Sequence, residues 1–501
     1  MPAARACGKA VLKAACYLLA AALLCAAPGA AGSDASPPVV VSLPGAPASQ
    51  DLLPIPEAFA GLDLPLSDVT TVVGDAKGLN PRFVNLLKGL TEYASHGHLR
   101  LRIGNDTLAW SGPRSPQRDR IPALAQLARQ FNVTYLLGVD FKSGDPAATL
   151  DAIAALTDAA SGLPPHSIEA LELGNEADLY PRAAQPEGRW DERRFAQRFA
   201  RFSERVLPLG VGVFGGKVAA PVWAGLKGPF FDAGNPLQRF LAANAAGSGM
   251  VDMHQYYGSN CHGATLAPGD LLQAQATTRA QAAFRPLIAA AHARTPRLPF
   301  VLSEWNSASC GGIAGVSDTF ESALWTLDGL FEWAAAGLDG VMLTTGNGLP
   351  YSPWHFAPDS GMRVAPNYYG LRMFLQATQH SARLLRPELA GTRGDSLKAW
   401  ATLDDGGVLR LVLVNKDARF SAPIDLALAG YQAPVAYALS ASDMRATSGV
   451  RYAGQTFDDS ADGKPAGKLD APVLSGPAPG RYRYRFEGVG AVLLEFQPQR
   501  R

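Results

Sequence analysis

Ile168-Glu-Ala-Leu-Glu-Leu-Gly-Asn-Glu176 and Phe300-Val-Leu-Ser-Glu304-Trp-Asn306 are two apolar runs that each lead directly into a glutamate. Burying an unpaired charge costs several kcal/mol, so folding stability alone does not place a carboxylate at such a position. At the carboxyl ends of parallel barrel strands, in contrast, polar side chains meet around a shared pocket. The two runs therefore predict two barrel strands whose ends contribute to one site.

Short apolar runs alternate with longer amphipathic stretches from about residue 59 to residue 345, which is typical of βα units around a parallel sheet. Eight runs are present, and a span of roughly 290 residues suits a closed (β/α)8 TIM barrel. Glu176 then follows the fourth strand and Glu304 the seventh. The predicted strands are Phe59–Leu64, Leu99–Ile103, Thr134–Val139, Ile168–Leu173, Gly210–Phe214, Val251–His254, Phe300–Ser303 and Leu338–Leu343.

One amphipathic helix is predicted between the fourth and fifth strands from apolar side chains at helical spacing. Its apolar face consists of Phe195, Phe199, Phe202 and Val206. We expect the arginines on its other side to face solvent: Arg194, Arg198, Arg201 and Arg205.

Beyond about residue 375 the pattern changes to short strands separated by turns rich in Gly, Pro and Asp. This pattern predicts a C-terminal antiparallel β-sandwich, to which the early run Pro38–Leu43 is expected to add a strand. The predicted organisation is a signal peptide at 1–32, an N-terminal segment at 33–57, the barrel at 58–372 and the β-sandwich at 373–501.

The first thirty residues have the pattern of an export signal, with a positively charged start, an apolar run and a small-residue cleavage site at Gly29–Ala31. The alternative is a membrane anchor, but the apolar run Val11–Leu24 is shorter than the roughly 20 residues that span a bilayer. We therefore expect a secreted or periplasmic protein with no stable membrane span after processing. Cys261 and Cys310 remain after cleavage, and in an oxidising compartment they form either a disulfide or two free thiols.

Composition excludes several other classes of protein. Hydrophobic residues make up 47% and charged residues 18%, as in an ordinary globular protein. Lys+Arg at 45 balance Asp+Glu at 44, so the basic excess expected of a nucleic-acid-binding protein is missing. The sequence near the strand ends lacks metal-ligand spacing, and we expect neither a metal nor a cofactor.

The residues around the two glutamates indicate a chemistry. Two carboxylates about 5–5.5 Å apart across a pocket are what retaining cleavage of a glycosidic bond requires. Asn175 precedes Glu176, and its amide can bond a sugar 2-hydroxyl. Arg102, at the end of the second strand, and Tyr256, at the end of the sixth, can keep Glu304 ionised through a charge-assisted bond and a hydroxyl donor. Asn105 and Asp106 also follow the second strand and can bind sugar hydroxyls.

Four sequence motifs resemble those of one family in particular. The chain is similar to clan A glycoside hydrolases and, within them, to glycoside hydrolase family 79, which contains β-glucuronidases and heparanase. The resemblance extends over the barrel and the β-domain. It rests on Leu101–Asn105, Leu173–Tyr180, His254–Tyr257 and Ser303–Asp318, the last continuing into Leu324–Asp328.

By this resemblance Glu176 is the acid/base and Glu304 the nucleophile. The resemblance also implies that Gly311, Gly312 and Tyr351 hold the carboxylate of a glucuronide and that His254 lies in the substrate pocket. Cys261 and Cys310 follow the sixth and seventh strands, so a bridge between them would tie two loops at the mouth.

The sequence therefore predicts a retaining exo-β-glucuronidase that acts on terminal β-linked glucuronic acid of glycosides or glycans. Three alternatives stay open. They are a heparanase-like endo-β-glucuronidase, a β-glucosidase of the same family acting on neutral glycosides, and an inactive secreted barrel that only binds carbohydrate.

Overall fold

The computed structural model describes residues 38–43, 52–104, 116–158, 162–164, 166–181, 188–210, 217–228, 230–231, 235–244, 247–357, 361–391, 396–420, 422–458 and 460–499. The signal peptide predicted at 1–32 lies outside these ranges, and so do Asn105 and Asp106. Pro37–Arg501 is one compact unit, which contains the barrel and the β-domain.

Eight parallel strands close into a barrel, which confirms the predicted fold. Each strand pairs with the next along the chain and the last pairs with the first, so all eight carboxyl ends open at one mouth. The strands are β1 (Ala60–Pro65), β2 (Leu99–Gly104), β3 (Val133–Val139), β4 (Ile168–Leu173), β5 (Val218–Trp223), β6 (Met250–Ser259), β7 (Phe300–Ser309) and β8 (Gly340–Thr344).

A helix follows each barrel strand. They are α1 (Pro81–Thr91), α2 (Ile121–Gln130), α3 (Pro146–Leu156), α4 (Glu192–Gly210), α5 (Pro236–Asn244), α6 (Gln275–His292), α7 (Phe320–Ala336) and α8 (Pro366–Ala377), with a short helix at Val69–Val72. Gly337 ends α7 in the left-handed conformation, at a φ of 92°. In the described part of the chain, no helix has the length and apolar character needed to cross a membrane.

Two sheets form the β-domain and share an apolar core that includes Val41, Leu411 and Leu494. The segment before the barrel supplies Val39–Ser42, which pairs parallel to Ile424–Ala427 and antiparallel to Glu388–Ala390. One sheet contains, in order, Glu388–Ala390, Val39–Ser42, Ile424–Ala427 and Arg481–Tyr484. The other contains Leu53–Pro54, Arg383–Leu385, Leu397–Leu403, Leu409–Asn415, Gly490–Phe496, Val435–Ser440 and Arg451–Tyr452.

Two short antiparallel strand pairs lie outside the barrel and these two sheets in the described part of the chain. A hairpin of Trp354–Ala357 and Gly361–Val364 lies between β8 and α8, and Gly74–Asp75 pairs with Gly78–Leu79 after β1. The first hairpin follows Tyr351, so it belongs to the loops at the barrel mouth.

Two details of the predicted organisation are wrong. The fifth strand was expected at Gly210–Phe214, but Gly210 is the last residue of α4 and the strand is Val218–Trp223. The expected boundary between residues 372 and 373 falls inside α8, because this helix continues to Ala377 and the first strand of the β-domain begins at Arg383.

Arg198 also differs from the expectation that it faces solvent. Its side chain is buried, its guanidinium lies 4.2 Å from the centre of the Trp190 ring, and it donates to the carbonyl oxygen of Phe141 at 2.9 Å. A stacked guanidinium whose donors bond backbone carbonyls fits an interior position better than an ammonium would. Arg198 therefore joins α4 to the loop after β3.

A buried ion cluster joins α7 to the β-domain. The carboxylate of Asp328 lies 2.5 Å from Lys416 Nζ and 3.1 Å from Lys398 Nζ, and it accepts the indole N–H of Trp400 at 2.9 Å. Burial raises the pKa of Asp328, but the two ammonium groups outweigh burial and hold this pKa well below its usual range. The cluster fixes the outer face of α7 against the second sheet.

We predict that Asp328→Ala lowers the free energy of unfolding by about 3–5 kcal/mol, because it leaves the buried Lys416 ammonium without a counter-charge. Urea denaturation measures this change. The matched control is Asp425→Ala, which removes an ion pair between exposed side chains, Asp425 and Arg483, and should barely move the midpoint. Similar midpoints for the two variants would contradict the role of the cluster.

The pH dependence has a defined sign. Because the folded-state pKa of Asp328 is depressed, its stabilisation is complete above the unfolded-state pKa of about 4 and is lost as the pH falls below that value. The Asp328→Ala variant should therefore differ least from the unsubstituted protein at the acid end of the range.

Candidate active site

Local backbone geometry brings Glu176 into the barrel mouth. After β4 the chain turns at Gly174, where φ is 85° and a Cβ atom would lie 2.7 Å from the hydroxyl of Tyr180. Glu176 itself has a left-handed φ of 46°, and its N–H donates to the carbonyl of Val222 at 2.9 Å. A non-glycine residue in this region is uncommon and persists only where its surroundings hold it, as the β5 end does here.

A β-bulge sets the position of Glu304. Leu302 pairs with Met253 of β6, whereas the next pair joins Glu304 to His254, so Ser303 is an extra residue on β7. A bulge of this kind changes the direction of the side chain that follows it. It places Glu304 beside His254 and leaves Ser303 buried in the wall.

The two glutamates predicted from the sequence lie close together. A carboxylate oxygen of Glu176, one of Glu304 and a ring nitrogen of His254 all lie within 4.8 Å of one another. Retaining glycosidases hold their two carboxyl groups about 5–5.5 Å apart, whereas inverting enzymes need roughly 6.5–9.5 Å to admit a water. The two carboxylates therefore face one another within the barrel mouth, with His254 beside both.

Arg102 is the centre of the surrounding hydrogen bonds. Its guanidinium is 1% exposed and donates to the Glu304 carboxylate at 2.6 Å and to Asn175 Oδ1 at 2.6 Å. It also bonds Glu172 at 2.8 Å and Asp63 at 3.2 Å. The sequence prediction that Arg102 supports Glu304 thus agrees with the geometry, and the same side chain fixes Asn175.

Glu172 and Asp63 were not predicted as site residues, although both stand in the strands quoted above. Each is a buried carboxylate inside a mostly apolar strand, and such a position is a signal for a buried cationic partner, here Arg102. Burial raises the pKa of Asp63 to about 8 against the opposing effect of Arg102.

Glu304 is held as an anion. Burial alone would raise its pKa, but the charges of His254 and Arg102 outweigh burial, and the Tyr256 hydroxyl donates to Oε2 at 2.8 Å. The pKa of Glu304 is lowered to about 2 as a result. A carboxylate that stays ionised is the form that a nucleophile requires.

His254 connects the two glutamates. Its Nδ1 lies 3.0 Å from the Glu176 carboxylate and 3.5 Å from that of Glu304, and the ring is fully buried. Burial lowers the pKa of His254, but the Glu304 charge and the hydrogen bond to Glu176 outweigh it and raise the pKa to about 9. His254 was predicted to lie in the pocket, and its direct bond to the acid/base candidate is an additional finding.

The same three side chains are the only group in the described ranges whose atoms are spaced to hold a metal ion. The 3.0 Å between His254 Nδ1 and the Glu176 carboxylate is the length of a hydrogen bond between them. A protonated imidazole has no free nitrogen lone pair, so a metal would have to displace its proton at a pKa near 9.

Three loop residues lie close together beside Glu304: Gly311, Gly312 and Tyr351. The two glycines have φ values of 92° and 83°, and a Cβ on Gly312 would lie 2.8 Å from the backbone nitrogen of Tyr351. The Tyr351 ring stacks on that of Tyr256, with centres 6.4 Å apart. Both glycines are buried, and among the described residues their N–H groups have no protein acceptor.

Cys261 and Cys310 form a disulfide, which is one of the two states that the sequence left open. Cys310 directly precedes the two glycines, and Asn260 donates to the carbonyl of Gly312 at 3.0 Å. The loop after β6 therefore holds the loop after β7 by a covalent bond and a hydrogen bond.

Known proteins resemble this chain in sequence and in fold. No protein-family model matches the chain. A curated β-glucuronidase of Aspergillus niger is 25% identical over 260 residues, which is 49% of this chain and 47% of the relative. The match thus spans about half the length of that relative.

Two solved structures share the fold. A 4-O-α-L-rhamnosyl-β-D-glucuronidase of Fusarium oxysporum aligns with a TM-score of 0.73 at 20% identity, covering 91% of this chain and 99% of the other. A family 51 α-L-arabinofuranosidase of Bifidobacterium longum has a TM-score of 0.66 at 15% identity, covering 92% and 99%. The shared fold and the related β-glucuronidase sequence support the resemblance that the motifs indicate.

We predict that His254 is protonated at pH 7 and titrates near pH 9, and that Glu304→Gln moves its pKa below the ordinary value of about 6.5, because burial then acts against a smaller negative charge. NMR of the imidazole nitrogens across pH 5–10 measures both values. His355 is the internal control, since burial and Arg363 lower its pKa to about 4. A neutral His254 at pH 7 in the unsubstituted protein would contradict this arrangement.

Proposed function

We propose that this protein is a retaining, exo-acting β-glucuronidase that releases terminal β-linked glucuronic acid by double displacement. The observation that carries the proposal is the pair Glu176 and Glu304, with carboxylate oxygens within 4.8 Å in two different environments. The related Aspergillus niger sequence is a β-glucuronidase, which favours a glucuronide over other sugars.

In the first step Glu304 attacks the anomeric carbon and Glu176 donates a proton to the departing glycosidic oxygen. This gives a covalent glycosyl-enzyme and a free alcohol. In the second step Glu176 takes a proton from water, which attacks the anomeric carbon and releases Glu304. Two inversions give a product with the β configuration of the substrate.

Asn175 is oriented for the sugar. Arg102 can only donate hydrogen bonds, so the Asn175 oxygen faces the guanidinium and the amide NH₂ is left to donate. A donor to the sugar 2-hydroxyl binds more strongly as the oxocarbenium-like transition state develops. Asn105 and Asp106 stay candidates for binding other sugar hydroxyls.

The sugar carboxylate is assigned to the Gly311–Gly312 turn and Tyr351. Among the described residues the two adjacent buried N–H groups have no protein acceptor, so they are available to donate to an anion, and the glycines carry no side chain that would exclude it. Tyr351 adds a hydroxyl whose proton is retained, since burial raises its pKa above the ordinary value. A neutral hexose offers no charge to this turn.

We also propose that the protein is exported to the periplasm or beyond the cell. The Cys261–Cys310 bridge supports this, because its two cysteines are exposed and such a bond persists in oxidising compartments. A reporter fused behind residues 1–32 would be found outside the cytoplasm if this is correct.

The decisive experiment compares p-nitrophenyl β-glucuronide, β-galacturonide and β-glucoside, with the anomer of the first product followed by NMR. We expect preference for the glucuronide and initial release of the β anomer. Release of the α anomer would overturn the retaining mechanism, and preference for the glucoside would overturn the assigned sugar. Sugar binding without turnover of any β-glycoside would identify an inactive barrel, and internal cleavage of a uronate polymer an endo enzyme.

Glu176→Ala should lower kcat for an alkyl glucuronide by roughly 10²–10⁴, the usual contribution of general acid catalysis, and affect a dinitrophenyl glucuronide much less in the first step. The reason is that a poor leaving group needs the proton that Glu176 supplies. Steady-state kinetics on both substrates, with Glu204→Ala on the outer helix α4 as the control, measures the difference. Equal losses on both would contradict the assigned role.

Gly312→Ala should reduce the preference for glucuronide over glucoside at least tenfold, because its Cβ would lie 2.8 Å from the Tyr351 backbone and displace the turn. The control is Gly315→Ala in the same loop, where φ is also positive but the space around the Cβ is open. The ratio of kcat/KM for the two substrates is the measurement. An unchanged ratio would remove the turn from carboxylate recognition.

A further inference from the structure

The turn that carries Glu176 is joined to the end of β5 at two points. Glu176 donates its backbone N–H to the carbonyl of Val222 at 2.9 Å, and Ala224 donates its N–H to Asp178 Oδ1 at 3.0 Å. The two hydrogen bonds run in opposite directions and lie two residues apart on each segment. One bond alone would leave the turn free to rotate about it, whereas two bonds define both its position and its orientation.

Asp178 supplies the only side chain in these two bonds, and its surroundings are unusual for a carboxylate. The residue is 1% exposed, and within the described part of the chain its Oδ2 has no hydrogen-bond partner. Burial raises the pKa of Asp178 to about 7, although the N–H of Ala224 acts to lower it. A buried oxygen without a partner costs free energy, so the stability of the fold does not explain this residue.

Glu176 depends on its surroundings for its conformation. Its φ of 46° lies in the left-handed region, which a residue with a side chain adopts only where neighbouring structure holds it there. Trp190, in the segment before α4, donates its indole N–H to the carbonyl of Ala177 at 2.7 Å. Trp190 and Asp178 are thus two side chains that hold the residues directly after Glu176, and Asp178 is the one that joins them to β5.

We propose that Asp178 is a positioning residue for the acid/base, and that its hydrogen bond to Ala224 holds the Glu176 carboxyl at the place from which it protonates the departing oxygen. Asp178 acts through Glu176, so this role rests on the proposed function. It adds to that function a residue that neither touches the sugar nor transfers a proton. Loss of Asp178 should therefore resemble a misplaced acid and not a lost nucleophile.

Substitutions at Asp178 separate the hydrogen bond from the shape of the side chain. Asp178→Asn keeps a carbonyl oxygen that accepts from Ala224, whereas Asp178→Leu has the same branched shape but no acceptor. Asp178→Ser, whose hydroxyl is one bond shorter, takes its place if the leucine variant does not fold. The control is Asp145→Ala, which removes an exposed carboxylate that accepts the N–H of Ala147 at 2.9 Å at the start of α3. Urea denaturation establishes that each variant is folded.

The substrates are β-glucuronides whose leaving groups need a proton to different degrees: dinitrophenyl, p-nitrophenyl, phenyl and methyl. We expect Asp178→Leu to lower kcat/KM about 10²-fold for the phenyl and methyl glucuronides, since displacing a catalytic group by about 1 Å can cost this much. The loss for the dinitrophenyl glucuronide should stay below about threefold, because its leaving group departs without general acid catalysis. Asp178→Asn, which keeps the acceptor, and Asp145→Ala should keep all four values within about threefold.

A double variant tests whether Asp178 acts through Glu176. In the Glu176→Ala background no acid is left to be positioned, so adding Asp178→Leu should change kcat/KM for p-nitrophenyl glucuronide by less than about twofold. A clear additional loss in that background would mean that Asp178 supports the site in another way, and it would overturn the proposal.

The outcomes distinguish this role from the proposed function. If the unsubstituted enzyme hydrolyses none of the four glucuronides, the proposed function fails. If it hydrolyses them and Asp178→Leu loses activity equally on every leaving group, or loses none, the function stands and the positioning role is overturned. The role is supported by a loss that grows from dinitrophenyl to methyl, is absent in Asp178→Asn and disappears when Glu176 is replaced by alanine.

Discussion

A single buried guanidinium sets the arrangement of the whole site. Arg102 lies at the centre of the barrel mouth and bonds side chains from the ends of β1, β4 and β7 as well as Asn175. Taking such a charge out of water costs more than any one pair returns, and removing one partner typically costs 3–5 kcal/mol. The cluster is therefore better explained by the orientation it imposes than by its contribution to stability.

Gly104 shows how strictly the chain around Arg102 is determined. A Cβ at this position would lie 2.3 Å from the guanidinium carbon, so only glycine lets the side chain fold back over its own strand. The motif Leu101–Asn105 thus contains both Arg102 and Gly104, the residue that leaves room for the guanidinium. With Arg102 fixed, Asn175 and Glu304 have defined orientations, and Tyr256 and His254 complete the contacts of the nucleophile.

Much of this could be predicted from the sequence, because the deciding signals are local. A carboxylate at the end of an apolar run marks a strand end, and eight runs mark a barrel. The prediction of the fifth strand was wrong because the actual strand, Val218-Ala-Ala-Pro-Val-Trp223, contains a proline and two alanines, which are poor strand signals. The segment that was predicted instead, Gly210–Phe214, is rich in valine. Strand propensity favoured Gly210–Phe214, whereas the tertiary fold places the strand at Val218–Trp223.

Other features depend on contacts that no local pattern records. Arg198 stands on the charged side of an amphipathic helix, and only the arrival of Trp190 and the loop after β3 makes its position interior. The bond between His254 and Glu176 joins β6 to the turn after β4, 78 residues earlier in the chain. The residue types were visible in the sequence, but the partner of each was set by strand order and by the bulge at Ser303.

The β-domain is linked to the candidate site because it packs against α7, the helix that follows the Glu304 loop. A barrel helix normally keeps a polar outer face, yet nearly every residue of Phe320–Ala336 is buried, since the β-domain packs against that outer face. The N-terminal N–H groups of Phe320 and Glu321, which α7 itself cannot satisfy, donate to the carbonyls of Ala446 and Met444 in the β-domain.

This packing has a consequence for the loop that follows Glu304. The segment between Glu304 and α7 contains Cys310, Gly311 and Gly312, so one end of that loop is fixed by the barrel and the other by a helix that the β-domain holds in place. An isolated barrel would expose the apolar face around Phe331, which Trp400 now covers at 5.4 Å between ring centres. The appended domain is thus part of the framework that positions the loop after Glu304.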